Sequence, residues 1–459
     1  MAPRDALAQL WQLAGLPGDA LAYADLTGAD PVFPSSFAVG TAAQASIAAA
    51  ALAACELGHA RGTPRQRVAV DMLHAATECT AWFSLDGRVP DLWDRFSGLY
   101  RCADGWVRIH TNFAHHRDGA LRLLGLDPAT AERADAERLL AGWSAQAFES
   151  AAAQAGLVAT ALRSFEEWDA SVQGRAIAAQ PLFSIARIGE APPRVLPPLD
   201  AQARPLTGLR VLDLTRILAG PVGGRALAAY GADVLLVNAP HLPNIEAIAD
   251  TSRGKRSALA DLRSEAGRAA MDALLGDAHV FIQGYRPGGL QGLGYGPQQL
   301  AAQRPGIVCV SLSAYGTQGP WAARRGFDSL VQTATGFNHA EGEAMGDGKP
   351  RSLPMQILDE ATGALIAMGA AAALLRQRLE GGSWHVQVSL AQTGHWVRSL
   401  GRVADGLETP APSRKGLTET SASGFGELCG IRHSAQLSRT PAAWPLPSMP
   451  PGTHPPAWP

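Results

Sequence analysis

This 459-residue sequence has few cysteines and no excess of basic residues, which excludes several classes of protein. Its five cysteines are scattered and none forms a CxxC pair, so nothing suggests a disulfide framework or a zinc site. Lys and Arg together number 39 against 41 Asp and Glu, which leaves no basic excess for binding nucleic acid. We therefore expect a cytoplasmic protein without a nucleic-acid partner.

Long apolar runs are also missing. The longest apolar stretches, around Ala45–Cys55 and Ala364–Leu375, are rich in alanine and fall well short of the roughly 20 residues that cross a bilayer. Near the N-terminus, Asp5 occupies a position where a signal peptide needs an apolar core. These observations predict neither a membrane partner nor a secretion signal.

The composition that remains, 47% apolar and 17% charged residues, is typical of a globular protein. From Pro205 onward, short apolar strands at Leu209–Leu214 and Asp233–Val237 alternate with helical segments. Further strand signals at His279–Gln283 and Ile307–Ser311 continue the alternation. This pattern predicts a parallel α/β sheet.

Two other segments stand apart from this pattern. Residues 86–200 mix short strand signals with helical ones and end in the proline-bearing segment Ala191–Asp200, which is typical of a linker. The nineteen positions from Pro441 to Pro459 include eight prolines, so we expect an extended segment there.

The sequence also contains an internal repeat. Shifting Phe37–Ala76 by 318 residues overlays it on Met355–Gly394 without a gap. An alanine-rich helical pattern then meets another, and a strand pattern meets a strand pattern. We interpret 37–76 as a degenerate copy of this helix–strand unit.

Asp359 is the main candidate for a catalytic residue, and it directly precedes the longest helical pattern of the second half. A carboxylate there can cap the helix, and the helix dipole favours its ionised form. The functional alternative is a carboxylate that attacks an activated carbonyl. In the repeat this position is Thr41, which can cap a helix but cannot form an acyl anhydride.

Three further segments could bind an anionic ligand. Thr215–Pro221 lies between a strand and a helix, where open α/β sheets bind ligands, and Arg216 adds a charge. Arg253–Arg256 carries three cations, which suit either a phosphate or a solvated turn, and Gln283–Gly288 again follows a strand. The absence of GxGxxG and Walker A spacings disfavours a nicotinamide or P-loop nucleotide site.

A histidine cluster, His110, His115 and His116, is the remaining candidate. Adjacent histidines point away from each other on a helix, so the spacing gives little support to a metal site, and we expect none. No GxSxG or SxxK motif supports a serine hydrolase.

Taken together, the second half resembles the family III (CaiB/BaiF-type) CoA-transferases, which include formyl-CoA transferases, carnitine CoA-transferases and α-methylacyl-CoA racemases. The resemblance extends from Pro205 to about Arg402. The motifs that carry it are Pro205–Pro221, Gly231–Leu235, Arg253–Ser257, Tyr285–Gly288, Ser313–Pro320, Gly326–Asp328 and Asp359–Leu390.

The resemblance implies an α/β fold in which 205–400 form a Rossmann-like CoA-binding domain with the catalytic helix. Residues 1–204 would be a partial family copy, with a smaller α+β domain at about 86–190 and a linker at 191–204, and 401–459 an extended tail. Members of the family form interlocked dimers, so a homodimer is also implied.

The resemblance further implies that Asp359 is the nucleophile of a CoA-transferase whose substrates are an acyl-CoA and a carboxylic acid, with no metal. The carboxylate would attack the thioester to give a mixed anhydride, CoA would return to give an aspartyl-CoA thioester, and the incoming acid would then take over the CoA. The implied CoA contacts are Arg216, Ile217, Ala219, Gly220, Lys255, Arg256, Gly284, Tyr285 and Arg286.

Some positions depart from the family pattern. The racemase branch has a histidine where this sequence has Phe327, which disfavours epimerisation by two bases. Gly284 and Leu218 replace an asparagine and a glutamine found in several members. Two alternatives therefore stay open: an acyl-CoA racemase or isomerase, and a non-catalytic CoA-binding partner subunit.

Overall fold

The computed structural model describes residues 1–459, which form a mixed α/β fold. The strands are β1 Ala24–Thr27, β2 Val68–Asp71, β3 Phe83–Leu85, β4 Gly98–Arg101, β5 Trp106–Ile109, β6 Ala159–Ala161, β7 Phe183–Gly189, β8 Arg210–Leu214, β9 Asp233–Asn238, β10 Lys255–Leu259, β11 Val280–Gln283, β12 Val308–Ser313, β13 Ser383–Ser389, β14 Thr418–Ser423, β15 Gly426–Ile431 and β16 Ala435–Leu437.

Helices occur in both halves of the chain. They are α1 Pro3–Ala14, α2 Val39–Ala60, α3 Met72–Glu78, α4 Ala114–Leu123, α5 Arg133–Leu140, α6 Ala145–Gln154, α7 Phe165–Ala170, α8 Val172–Ala178, α9 Ala219–Ala229, α10 Ile248–Thr251, α11 Glu265–Asp277, α12 Pro297–Gln303, α13 Asp328–Ala334, α14 Phe337–Met345, α15 Ile357–Glu380 and α16 Leu390–Ser399. Short 3-10 turns lie at Gly18–Tyr23, Gln291–Leu293 and Gly406–Glu408.

The main sheet has seven strands in the order β10-β9-β8-β11-β12-β13-β7. The first six are parallel and β7 is antiparallel, which confirms the expected parallel α/β sheet. Numbered as they occur in the chain, the parallel strands have the order 3-2-1-4-5-6 of a doubly wound fold. The direction of winding reverses between β8 and β11, and ligands of such sheets bind at the carboxyl end of that point.

Two long helices, α2 and α15, pack against each other in the core. Both are long and apolar enough to cross a membrane by length and composition, so the expectation that no segment reaches that length is wrong. Every residue of each apolar window is buried inside the fold, as in the core helices of globular proteins. Their many alanines allow the two backbones to approach closely.

The repeat has a structural counterpart. The unit α2–β2–α3 and the unit α15–β13–α16 begin 318 residues apart, at Val39 and Ile357. The residues before the two helices share one backbone conformation, with φ −77° and ψ 59° at Ala38 and φ −81° and ψ 60° at Gln356. Strands β2 and β13 each pair with one parallel and one antiparallel neighbour. The two units therefore keep the same local architecture.

The smaller α+β unit contains the antiparallel sheet β4-β5-β6 and helices α4, α5 and α6 around its own core. The expected boundary near residue 190 includes β7 in this unit. The structure instead places β7 at the edge of the main sheet, where it pairs with β13. The small unit therefore ends before β7, and the expected boundary near residue 190 is too late in the chain.

The expectation of an extended tail over 401–459 is wrong for residues 418–437. Strands β14 and β15 form a hairpin that pairs with β3, and β16 pairs with β2. Beyond Leu437 the chain has no helix or strand and lies along β10, where the His454 amide donates to the Ser257 carbonyl at 2.9 Å. Because β10 is an edge strand, this segment covers backbone groups that would otherwise be open to another chain.

Candidate active site

A cleft of about 390 Å³ opens at the carboxyl ends of β8, β11 and β12, beside the point where the winding of the sheet reverses. It lies between the main sheet and the loop that leads into α4. The lining residues are Phe113, His115, His116, Leu214, Arg216, Ile217, Leu242, Pro243, Gly284, Tyr285, Arg286, Pro287, Leu312, Ser313, Ala314, Arg324, Arg325, Gly326 and Phe327.

The lining of the cleft is strongly positive. It includes four arginines, Arg216, Arg286, Arg324 and Arg325, and no Asp or Glu. The Arg286 side chain is exposed and makes no hydrogen bond or ion pair within the chain, so its donors are available to a ligand. Guanidinium groups bind phosphate and carboxylate oxygens in a fork geometry. The cleft is therefore suited to an anionic ligand.

A smaller apolar pocket of about 200 Å³ adjoins the cleft. The two cavities share Leu214, Leu242, Tyr285 and Arg286. Aliphatic side chains at the ends of β9 and β10 dominate its wall. A ligand that enters the cleft can therefore extend a flat apolar group into this pocket.

The loop between β8 and α9 forms the floor of the cleft. Ile217 has φ +78°, a conformation that costs a β-branched residue about 1–3 kcal/mol. The first turn of α9 follows directly, and a Cβ on Gly220 would lie 2.4 Å from the Thr215 Cβ. Glycine at 220 thus lets the helix begin close to the end of β8, with its N-terminal amides near the cleft.

Helices α9 and α15 cross at a pair of glycines. A Cβ on Gly363 would lie 2.8 Å from the Ala219 carbonyl oxygen, and a Cβ on Gly223 would lie 2.6 Å from the Ile366 Cγ2. Asp359 is one helical turn before Gly363 and on the same side of α15. The crossing therefore holds Asp359 near the start of α9.

Asp359 is buried, with 8% of its surface exposed, and its carboxyl makes no hydrogen bond within the chain. Its backbone amide donates to the Asp328 carboxylate at 2.9 Å. Phe327, directly before Asp328, lines the cleft, while Asp359 is not among the lining residues. The free carboxyl thus lies behind the cleft wall, next to a second carboxyl group.

The pKa values of these two acids are displaced upward. Burial raises the pKa of Asp359 well above its ordinary value, and the nearby charges of Asp328 and Glu360 raise it further. Burial also raises the pKa of Asp328 to about 7, although the hydrogen bonds that its carboxylate accepts oppose the change. Loss of hydration therefore opposes the ionised form of Asp359 that the helix dipole favours.

The three histidines of the cluster lie on the small-unit side of this site. The His110 ring stacks on Phe327 with ring centroids 3.9 Å apart. His115 and His116 line the cleft, and Arg325 donates to the Nε2 of His116 at 3.0 Å. Burial lowers the pKa of His110 and of His116 to about 3, so both rings are neutral at pH 7.

The comparisons with known proteins point to the same region of the chain. The family model described as CoA-transferase family III matches residues 206–426. We call the matched residues 206–426 the family III segment. The match contains Asp359 and all four cleft arginines, whereas Phe113, His115 and His116 reach the cleft from outside it.

Individual relatives match the chain over part of their length. The probable fatty acyl-CoA transferase Rv3272 of Mycobacterium tuberculosis is 34% identical over 238 residues, which are 48% of this chain and 60% of that protein. Its crystal structure in an orthorhombic form matches with a TM-score of 0.40 over 43% of this chain and 59% of that one. A succinate–glutarate CoA-transferase of Agrobacterium fabrum is 34% identical over 206 residues, 40% of this chain and 51% of that protein. The chain thus spans between half and two thirds of these curated relatives.

Most of the CoA contacts implied by the sequence lie at the cleft. Arg216, Ile217, Gly284, Tyr285 and Arg286 line it. Ala219 and Gly220 do not line it but form the first turn of α9 directly behind its floor.

Lys255 and Arg256 do not lie at the cleft, and both assignments to CoA are corrected here. The Lys255 ammonium is fully buried, 2.8 Å from an Asp213 carboxylate oxygen, and it also donates to the Pro221 carbonyl at 2.7 Å. Arg256 forms an ion pair with Asp233. Both cations are therefore already paired within the family III segment.

Several residues of the site were missed by sequence reasoning. Arg324 and Arg325 directly precede the Gly326–Asp328 motif, and two adjacent arginines before a family motif are a usable signal. Phe113 and Arg108 come from the small unit, and only the fold brings them to the family III segment.

At the start of α2, the other copy of the repeat, there is no room for a ligand. Asp30 accepts hydrogen bonds from the amides of Gly40 and Thr41, and from the Thr41 hydroxyl at 2.7 Å. A Cβ on Gly40 would lie 2.4 Å from the Asp30 carboxylate. Asp30 thus takes the place at α2 that Asp328 has at α15, and this copy is closed by its own side chains.

Replacing Thr41 with valine is expected to lower the free energy of unfolding by about 1–3 kcal/mol, because the hydroxyl donates to a partly buried carboxylate. CoA transfer should be unchanged. Denaturant unfolding together with a transfer assay checks this. Thr27→Val, which removes an exposed threonine–aspartate hydrogen bond, is the matched control and should cost less. Loss of transfer in a folded Thr41→Val protein would contradict a purely structural role.

Proposed function

We propose that this protein transfers CoA between an acyl-CoA thioester and a carboxylic acid, with Asp359 as the covalent nucleophile. The observation that carries the proposal is the free, desolvated carboxyl of Asp359 behind an arginine-lined cleft of a family III segment. Because the chain spans only part of its relatives, the activity of the whole protein is proposed rather than transferred from them.

The two adjoining cavities support CoA as the ligand. CoA carries a phosphorylated adenosine, a pyrophosphate and a long pantetheine arm. Arg216 provides a cation in the cleft and Arg286 provides one where the cleft meets the apolar pocket, and that pocket is suited to the adenine base. The start of α9 adds unpaired backbone amides. The arm can then extend along the cleft toward Phe327 and Asp359.

The chemistry follows from the position of the carboxyl. An Asp359 carboxylate oxygen attacks the thioester carbonyl and expels the CoA thiolate, which leaves a mixed anhydride. The thiolate then attacks the aspartyl carbonyl of the anhydride and expels the first acid as its carboxylate, which leaves an aspartyl-CoA thioester. Repeating these steps with a second acid in reverse order gives the new acyl-CoA and frees Asp359. A buried carboxylate has few waters to displace before it attacks.

Racemisation is disfavoured by the same geometry. Phe327 lies where a base would be needed, and its ring is covered by His110. Because Phe327 cannot act as a base, nucleophilic attack by Asp359 is favoured over epimerisation by two bases. The interlocked homodimer and the cytoplasmic location stay predictions.

Trapping the covalent intermediate tests the proposed function. The protein is incubated with succinyl-CoA or with palmitoyl-CoA, two probes suggested by the names of the relatives, and quenched with hydroxylamine. Peptide mass spectrometry is expected to find a hydroxamate at Asp359 with at least one probe. Glu360, which is buried next to Asp359, should stay unmodified and is the internal control. No modification of Asp359 by either probe would favour the non-catalytic alternative.

A further inference from the structure

Arg108, a residue of the small unit, faces the acidic pair across the boundary with α13. Arg108 is on β5 and His110 directly follows the strand two positions later, so extended backbone directs both side chains to the same side. His110 stacks on Phe327, and Arg108 is close enough for its charge to lower the pKa of the next residue, Asp328. One face of β5 therefore lies against the start of α13.

The Arg108 guanidinium is buried but nearly unpartnered. Its residue is 8% exposed, its Nε has no hydrogen-bond partner, and its one hydrogen bond runs from Nη1 to the Ser352 hydroxyl at 3.0 Å. No carboxylate oxygen lies within 4.0 Å of the Arg108 guanidinium, so Arg108 forms no ion pair. Burial lowers the pKa of Arg108 to about 10. A buried cation without a counter-ion is costly to a fold, and such groups are concentrated at functional sites.

The proposed chemistry contains a step that needs such a cation. A carboxylate substrate has to approach the carboxyl group of Asp359, and two carboxylates repel each other in a desolvated site. Arg216 and Arg286 line the cleft proposed for CoA, and Arg286 also lines the apolar pocket. Arg108 reaches Asp328 from the small unit, and its Nε and Nη2 make no hydrogen bond.

We infer that Arg108 binds the carboxylate of the acid substrate and holds it next to Asp359. This inference rests on the proposed function and adds the site at which the acid is recognised. The substrate class is a free carboxylate, bound by the unused donors of the guanidinium. The same contact stabilises the first acid as it leaves the anhydride, because leaving and entering acids pass through the same arrangement.

Discharge of the loaded enzyme separates this role from a structural one. The protein is loaded with succinyl-CoA until Asp359 carries the CoA thioester, and is then freed of small molecules. Succinate discharges it by attacking the aspartyl carbonyl, after which the thiolate takes the succinyl group. Hydroxylamine, which is neutral, discharges it to a hydroxamate and free CoA.

Arg108→Met is expected to slow discharge by succinate roughly 10- to 100-fold and to leave discharge by hydroxylamine unchanged. Loading should be slower as well but should reach completion. Arg108→Lys keeps the charge and loses the fork, so it should recover part of the rate. Arg101→Met, which removes an exposed arginine of β4 in the same sheet, is the matched control and should behave as wild type.

The outcomes are distinguishable. Equal discharge of wild type and Arg108→Met by succinate overturns the role of Arg108, and so does equal slowing with both nucleophiles. An Arg108→Met protein that unfolds at the wild-type temperature but never forms the CoA thioester also overturns the role of Arg108. Failure of the wild-type protein to load contradicts the proposed function itself.

Discussion

Asp359→Asn is expected to abolish CoA transfer and, at the same time, to make the protein more stable. Asparagine cannot form the anhydride, so the transfer rate should fall by about four orders of magnitude or more. Asparagine has almost the same volume and carries no charge, so it avoids burying a carboxylate that makes no hydrogen bond within the chain. Activity and stability should therefore change in opposite directions.

The stability gained by Asp359→Asn should depend on pH, and the pKa of Asp359 decides in which direction. The pKa of Asp359 is raised in the folded protein above the ordinary value of 3.8 that applies when the chain is unfolded. Between these two values the folded state holds more protons, so the stability due to the neutral acid is present at low pH and is lost as pH rises through the folded pKa. The advantage of Asp359→Asn should therefore grow with pH, by at most about 1.4 kcal/mol per pH unit.

Thermal unfolding of wild type and Asp359→Asn at about pH 5 and about pH 8 checks this expectation. We expect a gain of a few °C at the higher pH and a smaller one at the lower pH. Asp5→Asn is the matched control, since Asp5 is an exposed aspartate in the first turn of α1, and it should show no such trend. A gain that is equal at both pH values would mean that Asp359 is ionised throughout the range.

Lys255→Ala is expected to produce the largest loss of stability. The substitution leaves the Asp213 carboxylate without its ammonium partner in a site where both side chains have no exposed surface. Breaking a buried pair by removing one partner costs about 3–5 kcal/mol. A Cβ on Gly224 would lie 2.2 Å from the same Asp213 carboxylate, so α9 presses directly on the pair and water has little room to enter.

Denaturant unfolding of a small set of variants measures this loss. Arg256→Met removes the neighbouring, partly exposed cation and should cost less than about 1 kcal/mol. A double variant, Asp213→Asn with Lys255→Met, should recover part of the loss because no charge is left unpaired. If Lys255→Ala folds with wild-type stability and instead binds CoA weakly, the corrected assignment of Lys255 is itself wrong.

The main sheet and the start of α15 could be predicted from the sequence because their signals are local. Apolar strands flanked by turns mark β8, β9, β11 and β12, and the family motifs bring Asp359 into register with them. The partners of charged residues are not local. Lys255 and Asp213 are 42 positions apart, and only the pairing of their strands with β9 shows that they meet. Asp213 within an apolar strand was nevertheless a sign that a buried cation was needed.

Other features were outside the reach of local patterns. Strands β14 and β15 are rich in Ser, Thr and Gly and carry little apolar alternation, so their sequence does not predict a hairpin. The upward displacement of the Asp359 pKa depends on packing by α9 and α13, which a helix-cap argument does not contain. Arg108 reaches the site through the docking of a separate unit, and that docking has no sequence motif.

The contact between α2 and α15 has an evolutionary consequence. A duplicated segment that loses its reactive group is usually released from selection and drifts. Here α2, which has Thr41 in place of the aspartate, packs directly against α15. A bulkier residue in α2 would therefore displace the backbone that carries Asp359. We therefore expect the small residues of α2 to tolerate exchange among alanine, glycine and serine far better than exchange for any larger residue. Selection on α15 would then also constrain the sequence of α2.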